Sequence, residues 1–203
     1  LRTLEHVAPK QLKKRLQWQG RVTDWWRVSI GCSGSRGHPK IDSRRVFMPA
    51  SIHLVTGATS GIGQATAKLL VEQGKRVVGI GRSIEKLPDG VEAAQLDLRD
   101  ASAIKRFFQS LADDKESIAS LLNSAGLAFS SRISDGDPED WRRMWEINVH
   151  ALALCCQCAL PLMEEDGLII NVSSQSGHRV PSAGGFYAPT KFAVRAITDA
   201  LRK

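Results

Sequence analysis

From residue 51 onward the apolar positions of the chain follow two alternating rhythms. Short runs rich in β-branched residues, "SIHLVT", "RVVGIG", "AAQLDL", "IASLLNSAG" and "GLIINVSS", predict five strands. Between them, "IGQATAKLLVEQG", "ASAIKRFFQSLADD" and "DPEDWRRMWEINVHALALCCQCALPLM" place apolar residues at helical spacing, and "FYAPTKFAVRAITDALRK" opens a last helix. Gly74 supplies a stop for the first helix, and Pro138 suits the first turn of the third, which reads as one long helix or two abutting. Strands alternating with helices predict a parallel sheet covered on both faces, hence a doubly wound α/β fold. Lys203 falls inside the last helical pattern without a cap, so the chain reads as cut after the fifth strand and part of the following helix.

Residues 1–47 break the rhythm. They show no steady helical or strand period, begin with leucine, and hold Trp18, Trp25 and Trp26 of the five tryptophans. Met48 then stands just ahead of the first clear strand. The division expected is a leader, 1–47, outside the packed unit, and a domain over 48–203. Three readings are open for the leader: upstream nucleotide sequence translated ahead of a start at Met48, a transit segment poor in acidic residues, or a basic arm for nucleic acid. We favour the first, with the leader disordered or a translation artefact.

Charge supports that division. The net charge is +7, but residues 1–47 carry 11 of the 28 Lys and Arg and only 3 of the 21 Asp and Glu. The remaining 17 basic and 18 acidic residues nearly cancel, which argues against nucleic acid as a partner of the folded part. With 42% apolar and 24% charged residues the composition is that of a globular protein, and no apolar run approaches the roughly 20 residues of a membrane span. Cys32 stands alone, while Cys155, Cys156 and Cys158 point in different directions on a helix. Without a CxxC pair and nearby histidines a zinc site is not expected, and no other metal is; the thiols read as small apolar residues in a reducing compartment.

Two stretches carry candidate chemistry. The first strand runs into "TGATSGIG", with Gly57, Gly61 and Gly63 at a strand-to-helix junction. Glycines there allow a sharp turn and close approach of a pyrophosphate to the helix N-terminus. Gln64 follows Gly63 where a P-loop needs lysine, which excludes an NTPase. At the end of the second strand, where NAD binders carry an acidic residue for the ribose, stand Gly81 and Arg82, which favours a 2′-phosphate and NADP over NAD. The other stretch is "FYAPTKF": it contains the one tyrosine of the chain, Tyr187, with Lys191 one helical turn on. Alone, such a pair is an ordinary feature of an amphipathic helix.

The motifs "TGATSGIG", "LDL", "NSAG", "INV", "NVSSQSG" and "YAPTK" occur in the order and spacing of the short-chain dehydrogenase/reductase family, which the chain resembles over about residues 50–203. The last of these stretches look closest to the farnesol and steroid dehydrogenase-like branch. The resemblance implies a Rossmann-like sheet and four catalytic residues, Asn148, Ser174, Tyr187 and Lys191. Tyr187 would be the general acid/base, and with Ser174 it would hold the substrate oxygen. Lys191 would favour the phenolate and bind the nicotinamide ribose, and Asn148 would steady a water for proton relay. It further implies cofactor contacts from Gly57, Thr59, Ser60, Gly61, Ile62 and Gly63 in the turn, Arg82 and Ser83 after the second strand, Asp97 and Leu98 after the third, Asn123, Ala125 and Gly126 after the fourth, and Tyr187 and Lys191 on the last helix. Asp97 would meet the adenine amino group or simply cap the next helix. Ser124 departs from the second asparagine usual in the family, and Pro189 is unusual but falls in a first helical turn.

The expected function is NADP-dependent interconversion of an alcohol and a ketone or aldehyde, on a small-molecule substrate. The expected setting is the cytoplasm, or an organelle if the leader is genuine, and a homo-dimer or homo-tetramer at full length. Two alternatives stand beside it: reduction of a 3-oxoacyl group on acyl carrier protein, which needs a basic patch to which His178 and Arg179 contribute, and a non-catalytic nucleotide-binding module.

Overall fold

The computed structural model describes residues 51–182 and 185–203 and, for the backbone, the segment Leu4–Val7. Met48, Cys32, Trp18, Trp25 and Trp26 lie outside the described residues. In chain order the strands are β1 (Leu4–Val7), β2 (Ile52–Thr56), β3 (Arg76–Gly81), β4 (Glu92–Gln95), β5 (Ile118–Asn123) and β6 (Met163–Val172). The helices are α1 (Gly61–Glu72), α2 (Ala101–Asp113), α3 (Pro138–Trp145), α4 (Leu152–Ala159) and α5 (Tyr187–Leu201). The sheet order is β1-β6-β5-β2-β3-β4, with β2 to β6 all parallel. The order reverses between β2 and β5, and in such sheets a crevice opens beyond the carboxyl ends of the strands at that point.

The five parallel strands are those that the apolar runs predict. Both faces of the sheet are covered, so the strands show continuous apolar runs instead of strict alternation. Leu54, Ile80, Leu121 and Ile169 face a core closed by α2, α4 and α5, through residues such as Phe108, Cys155 and Val194. Val55, Val77 and Leu122 face the other way, against Ala67, Leu70 and Val71 of α1. α1 ends at Glu72, just ahead of Gly74, as the glycine stop predicts.

Three features differ from the pattern-based expectation. First, the sheet does not end at β6: Leu4–Val7, from the segment read as lying outside the fold, pairs antiparallel with Val172 to Ile169. Four residues are too few to show a period, but they satisfy the open edge of β6. Second, "LDL" is not strand, since β4 stops at Gln95. Third, the long helical run is continuous but changes pitch, with a π-helical segment at Glu146–Ala151 between α3 and α4. Asn148 lies in that segment, fully buried. Such local widenings of a helix are frequent at functional sites.

Candidate active site

The strand ends meet in register. Thr56 is level with Ile80 on one side and Asn123 on the other, and Asn123 with Asn171. Beyond these ends lies a cleft of about 520 Å³. The loop after β2 forms one wall, through Gly57, Thr59, Ser60, Gly61 and Ile62; Gly81 and Arg82 follow β3, and Asp97, Leu98 and Arg99 follow β4. Ser124 to Leu127 close the side toward β5.

The glycine turn is forced by contact. Gly57 takes φ +70°, and a Cβ there would sit 2.8 Å from the Ala125 backbone. A Cβ at Gly63 would run into the Gly57 carbonyl oxygen. The two glycines therefore let the turn fold back on itself and press against the end of β5. No acidic residue occupies the first turn of α1, and its Ser60 cap makes no side-chain hydrogen bond, so the first-turn N–H groups face the cleft at a positive dipole end. The cradle and its donors fit a dinucleotide pyrophosphate.

Two buried polar links fix the floor. Thr56 Oγ1 accepts from the N–H groups of Ser124 (3.1 Å) and Ala125 (3.2 Å). Because those contacts use backbone, serine at 124 serves where the family usually has asparagine. Asn123 turns away from the cleft. It is 3% exposed, donates to Asn171 Oδ1 at 2.9 Å and to Cys156 Sγ at 3.3 Å, and Asn171 donates on to Thr198 Oγ1 at 3.0 Å. Asn123 is not among the residues lining the cleft, and it ties β5 to β6, α4 and, through Asn171, α5. Ser83, too, is absent from the lining and precedes a short 3₁₀ turn at Ile84–Lys86. Gly63 supports the turn from behind, through the contact with Gly57.

Asn148, Tyr187 and Lys191 cluster behind Leu127 and Val172 of the cleft wall; none of the three, nor Ser174, is itself among the lining residues. The Asn148 amide spans Leu127, accepting from its N–H at 2.7 Å and donating to its carbonyl at 2.8 Å, and also donates to Thr190 Oγ1 at 3.1 Å. Thr190 in turn donates to the Tyr187 carbonyl at 2.7 Å. Lys191 Nζ donates to the Val172 carbonyl at 3.0 Å and lies 5.7 Å from the centre of the Tyr187 ring. Both Asn148 Oδ1 and Lys191 Nζ come within 4 Å of where a Gly126 side chain would start, which places them beside the cleft wall. Burial lowers the pKa of the Lys191 ammonium from its ordinary value. Ser174 stands at the end of β6, and its Oγ accepts from Ser176 N at 3.1 Å.

Asp97 does not cap α2. Asp100 does, accepting from Ser102 N at 2.8 Å and Ala103 N at 3.0 Å. Asp97 is instead gripped by Arg99, whose hydrogen bonds hold its carboxyl below the usual range, with Arg82 adding a smaller pull. Arg99, Leu127, Arg143 and Ile147 line the cleft without having been expected there from sequence. Arg99 adjoins "LDL" and was within reach of that motif; Arg143 and Ile147 depend on how the helix crosses the sheet, which no local pattern encodes. The thiols of Cys155 and Cys156 are buried, which raises both pKa values, that of Cys156 to about 12, in keeping with small apolar residues. Among the described residues there is no cluster able to hold a metal, and no helix is long and apolar enough to cross a membrane.

Residues 51–203 match the family model described as short chain dehydrogenase. The chain is 38% identical over 168 residues to dehydrogenase/reductase SDR family member 11 of Bos taurus, covering 74% of this chain and 66% of that protein. The Homo sapiens protein of the same name is also 38% identical, over 74% and 65%. The chain thus spans somewhat less than two thirds of the length of these curated relatives. Among solved structures, serine dehydrogenase from Escherichia coli aligns with a TM-score of 0.68 at 35% identity, over 74% of each chain. The closed form of serine dehydrogenase complexed with NADP+ aligns with the same score and identity, over 74% of this chain and 65% of that one. The glycine cleft, the Tyr187–Lys191 turn and these matches agree: the chain belongs to the short-chain dehydrogenase family.

Proposed function

We propose that the chain binds NADP and interconverts an alcohol with a ketone or aldehyde. The observation that carries this reading is the cluster of Tyr187, Lys191 and Asn148 behind Leu127 and Val172, two residues of the lining of a cleft that also takes in the glycine turn and Arg82. The nicotinamide supplies hydride when bound. This chain's residues do the rest. Tyr187 holds or gives the proton at the substrate oxygen, and Ser174 Oγ donates a hydrogen bond there as negative charge develops. Lys191, anchored on the Val172 carbonyl, keeps positive charge beside the phenol and is placed for the ribose hydroxyls. Asn148 holds the Leu127 backbone on both its polar groups, so it sets the wall of the cleft as well as any water near Lys191.

Arg82 is exposed at the end of β3, with no carboxylate where an NAD site would have one, and its carbonyl is held by Gln95 Nε2 at 3.0 Å. NADPH should therefore bind more tightly than NADH, and Arg82→Asp should reverse the order. Fluorescence titration with both cofactors checks this, and equal affinities in the unaltered chain would make Arg82 plain surface charge.

Acyl carrier protein is the second substrate reading, favoured by one observation. Arg195 Nη1 lies 3.0 Å from His178 Nδ1, and with the exposed Arg179 they form a basic surface beside the loop after β6. A small 3-oxoacyl thioester compared with the same acyl group on the carrier would separate the two readings. We further read the protein as cytoplasmic, given the unbridged Cys155, Cys156 and Cys158, and as a homo-oligomer through α3, α4 and α5, where Trp145 and Phe192 are exposed.

A further inference from the structure

Asp97 lines the cleft in the grip of Arg99, with Arg82 in the same lining. Arg99 Nη2 lies 2.6 Å from Asp97 Oδ2, and Arg99 Nε lies 3.2 and 3.1 Å from the two carboxylate oxygens. The Arg99 N–H adds a fourth contact, at 2.9 Å. Arg82 reaches Asp97 only through its electrostatic field, yet both arginines line the same cleft. The grip engages two of the three guanidinium nitrogens of Arg99. It also fixes the group within two residues of its partner, where little side-chain freedom is left.

The charges decide what this arrangement does. A carboxylate beside Arg82 has two effects on a ribose 2′-phosphate: it repels the phosphate, and it competes for the Arg82 guanidinium. Arg82, Asp97 and Arg99 together carry one net positive charge; Arg82 and Asp97 alone carry none. At about 0.1 M salt the screening length is about 10 Å, so neighbours across one cleft wall still feel each other.

We propose that Arg99 is a specificity-determining residue: by neutralising Asp97 it leaves Arg82 to receive the 2′-phosphate. This inference rests on the NADP reading above and deepens it. Arg99 acts through Asp97, so removing Arg99 harms selectivity only while Asp97 keeps its charge.

The test is calorimetric titration of the whole chain with 2′,5′-ADP and with 5′-ADP, two probes that differ in the 2′-phosphate alone. The unaltered chain should prefer 2′,5′-ADP. Arg99→Ala should reduce that preference, the ratio of the two affinities, about two- to five-fold, the size of an exposed charge interaction. Adding Asp97→Asn to Arg99→Ala should return most of the preference, and Arg99→Lys should keep most of it. An unchanged preference in Arg99→Ala, or no recovery in the double variant, overturns the inference. If Arg82→Asp abolishes the preference and Arg99→Ala does not, the NADP reading stands and the role of Arg99 falls. If the unaltered chain binds neither probe, both fall together.

Discussion

At the scale of single residues, Tyr187 and Lys191 separate chemistry from stability. Tyr187→Phe keeps the ring and removes the hydroxyl, so packing barely changes. Turnover of an alcohol or ketone substrate should fall by about 10²–10⁴-fold. NADP affinity should stay within about threefold, because the ring is kept and only the proton donor is lost. A fully active Phe variant would reduce "FYAPTKF" to an ordinary amphipathic helix. Lys191→Met should behave differently, because Lys191 is 6% exposed and burial lowers its pKa from 10.5. Its folded-state pKa is the lower one, so between that value and 10.5 the unfolded chain binds more protons, and stability rises with pH across the window. Below the window the buried ammonium costs the fold stability. Lys191→Met removes that cost and also one hydrogen bond to Val172, so its thermal midpoint at neutral pH should equal or exceed that of the unaltered chain, while NADP binds more weakly. The rise in stability with pH toward 10.5 should also flatten in the variant. A variant that loses both stability and the flattening would show that Lys191 is a structural tie before it is anything else.

At the scale of elements, the caps offer a clean comparison. Asp100 receives two backbone N–H groups at the start of α2, whereas Asp97 bonds only within its own turn. Asp100→Ala should cost about 1 kcal/mol, lowering the thermal midpoint by about 2–4 °C for a domain of this size. Asp97→Ala should cost less, and thermal melts of the two variants side by side would expose a reversed order. With the helical pattern starting at Ala101, the position just before it is Asp100, so the cap was within reach of the sequence, and the reading of Asp97 as a cap overlooked it. The glycine turn, the five parallel strands and the Tyr187–Lys191 spacing were legible because each rests on contacts a few residues apart. The place of Asn123 was not: its amide is held by Asn171, with Thr198 beyond, and those partners lie 48 and 27 residues further along each step. Likewise the π-helical segment around Asn148 shows no sequence mark of its own, since what selects it is the grip on Leu127, 21 residues back.

At the scale of the whole molecule, the open question is what residues 1–47 do for the rest. Among the described residues, the buried apolar side chains lie between Ile52 and Val194. The described lining of the cleft runs from Gly57 to Val172. What the leader does contribute is β1, paired with the last four residues of β6, Ile169 to Val172. An uncovered parallel strand offers a row of unpaired N–H and C=O groups to any other chain. Deleting residues 1–47 should preserve a cooperative unfolding transition and leave NADP affinity within about threefold, since the described core between Ile52 and Val194 supplies hydrophobic burial at about 25 cal/mol per Å². The deletion should also make the chain associate as its concentration rises, through the exposed β6 edge. Sedimentation velocity over a concentration series reads the second outcome, and differential scanning calorimetry the first. A truncated chain that stays monodisperse would mean that β1 protects nothing. A lost cooperative transition would mean that the leader supplies part of the core, and the division at residue 47 would have to be redrawn. The Val172 carbonyl that accepts from Lys191 sits at the end of the β1 pairing, opposite Leu4. A shift of β6 on truncation would therefore reach Lys191 first, so loss of NADP affinity without loss of cooperativity would show the leader acting on the site through that one strand.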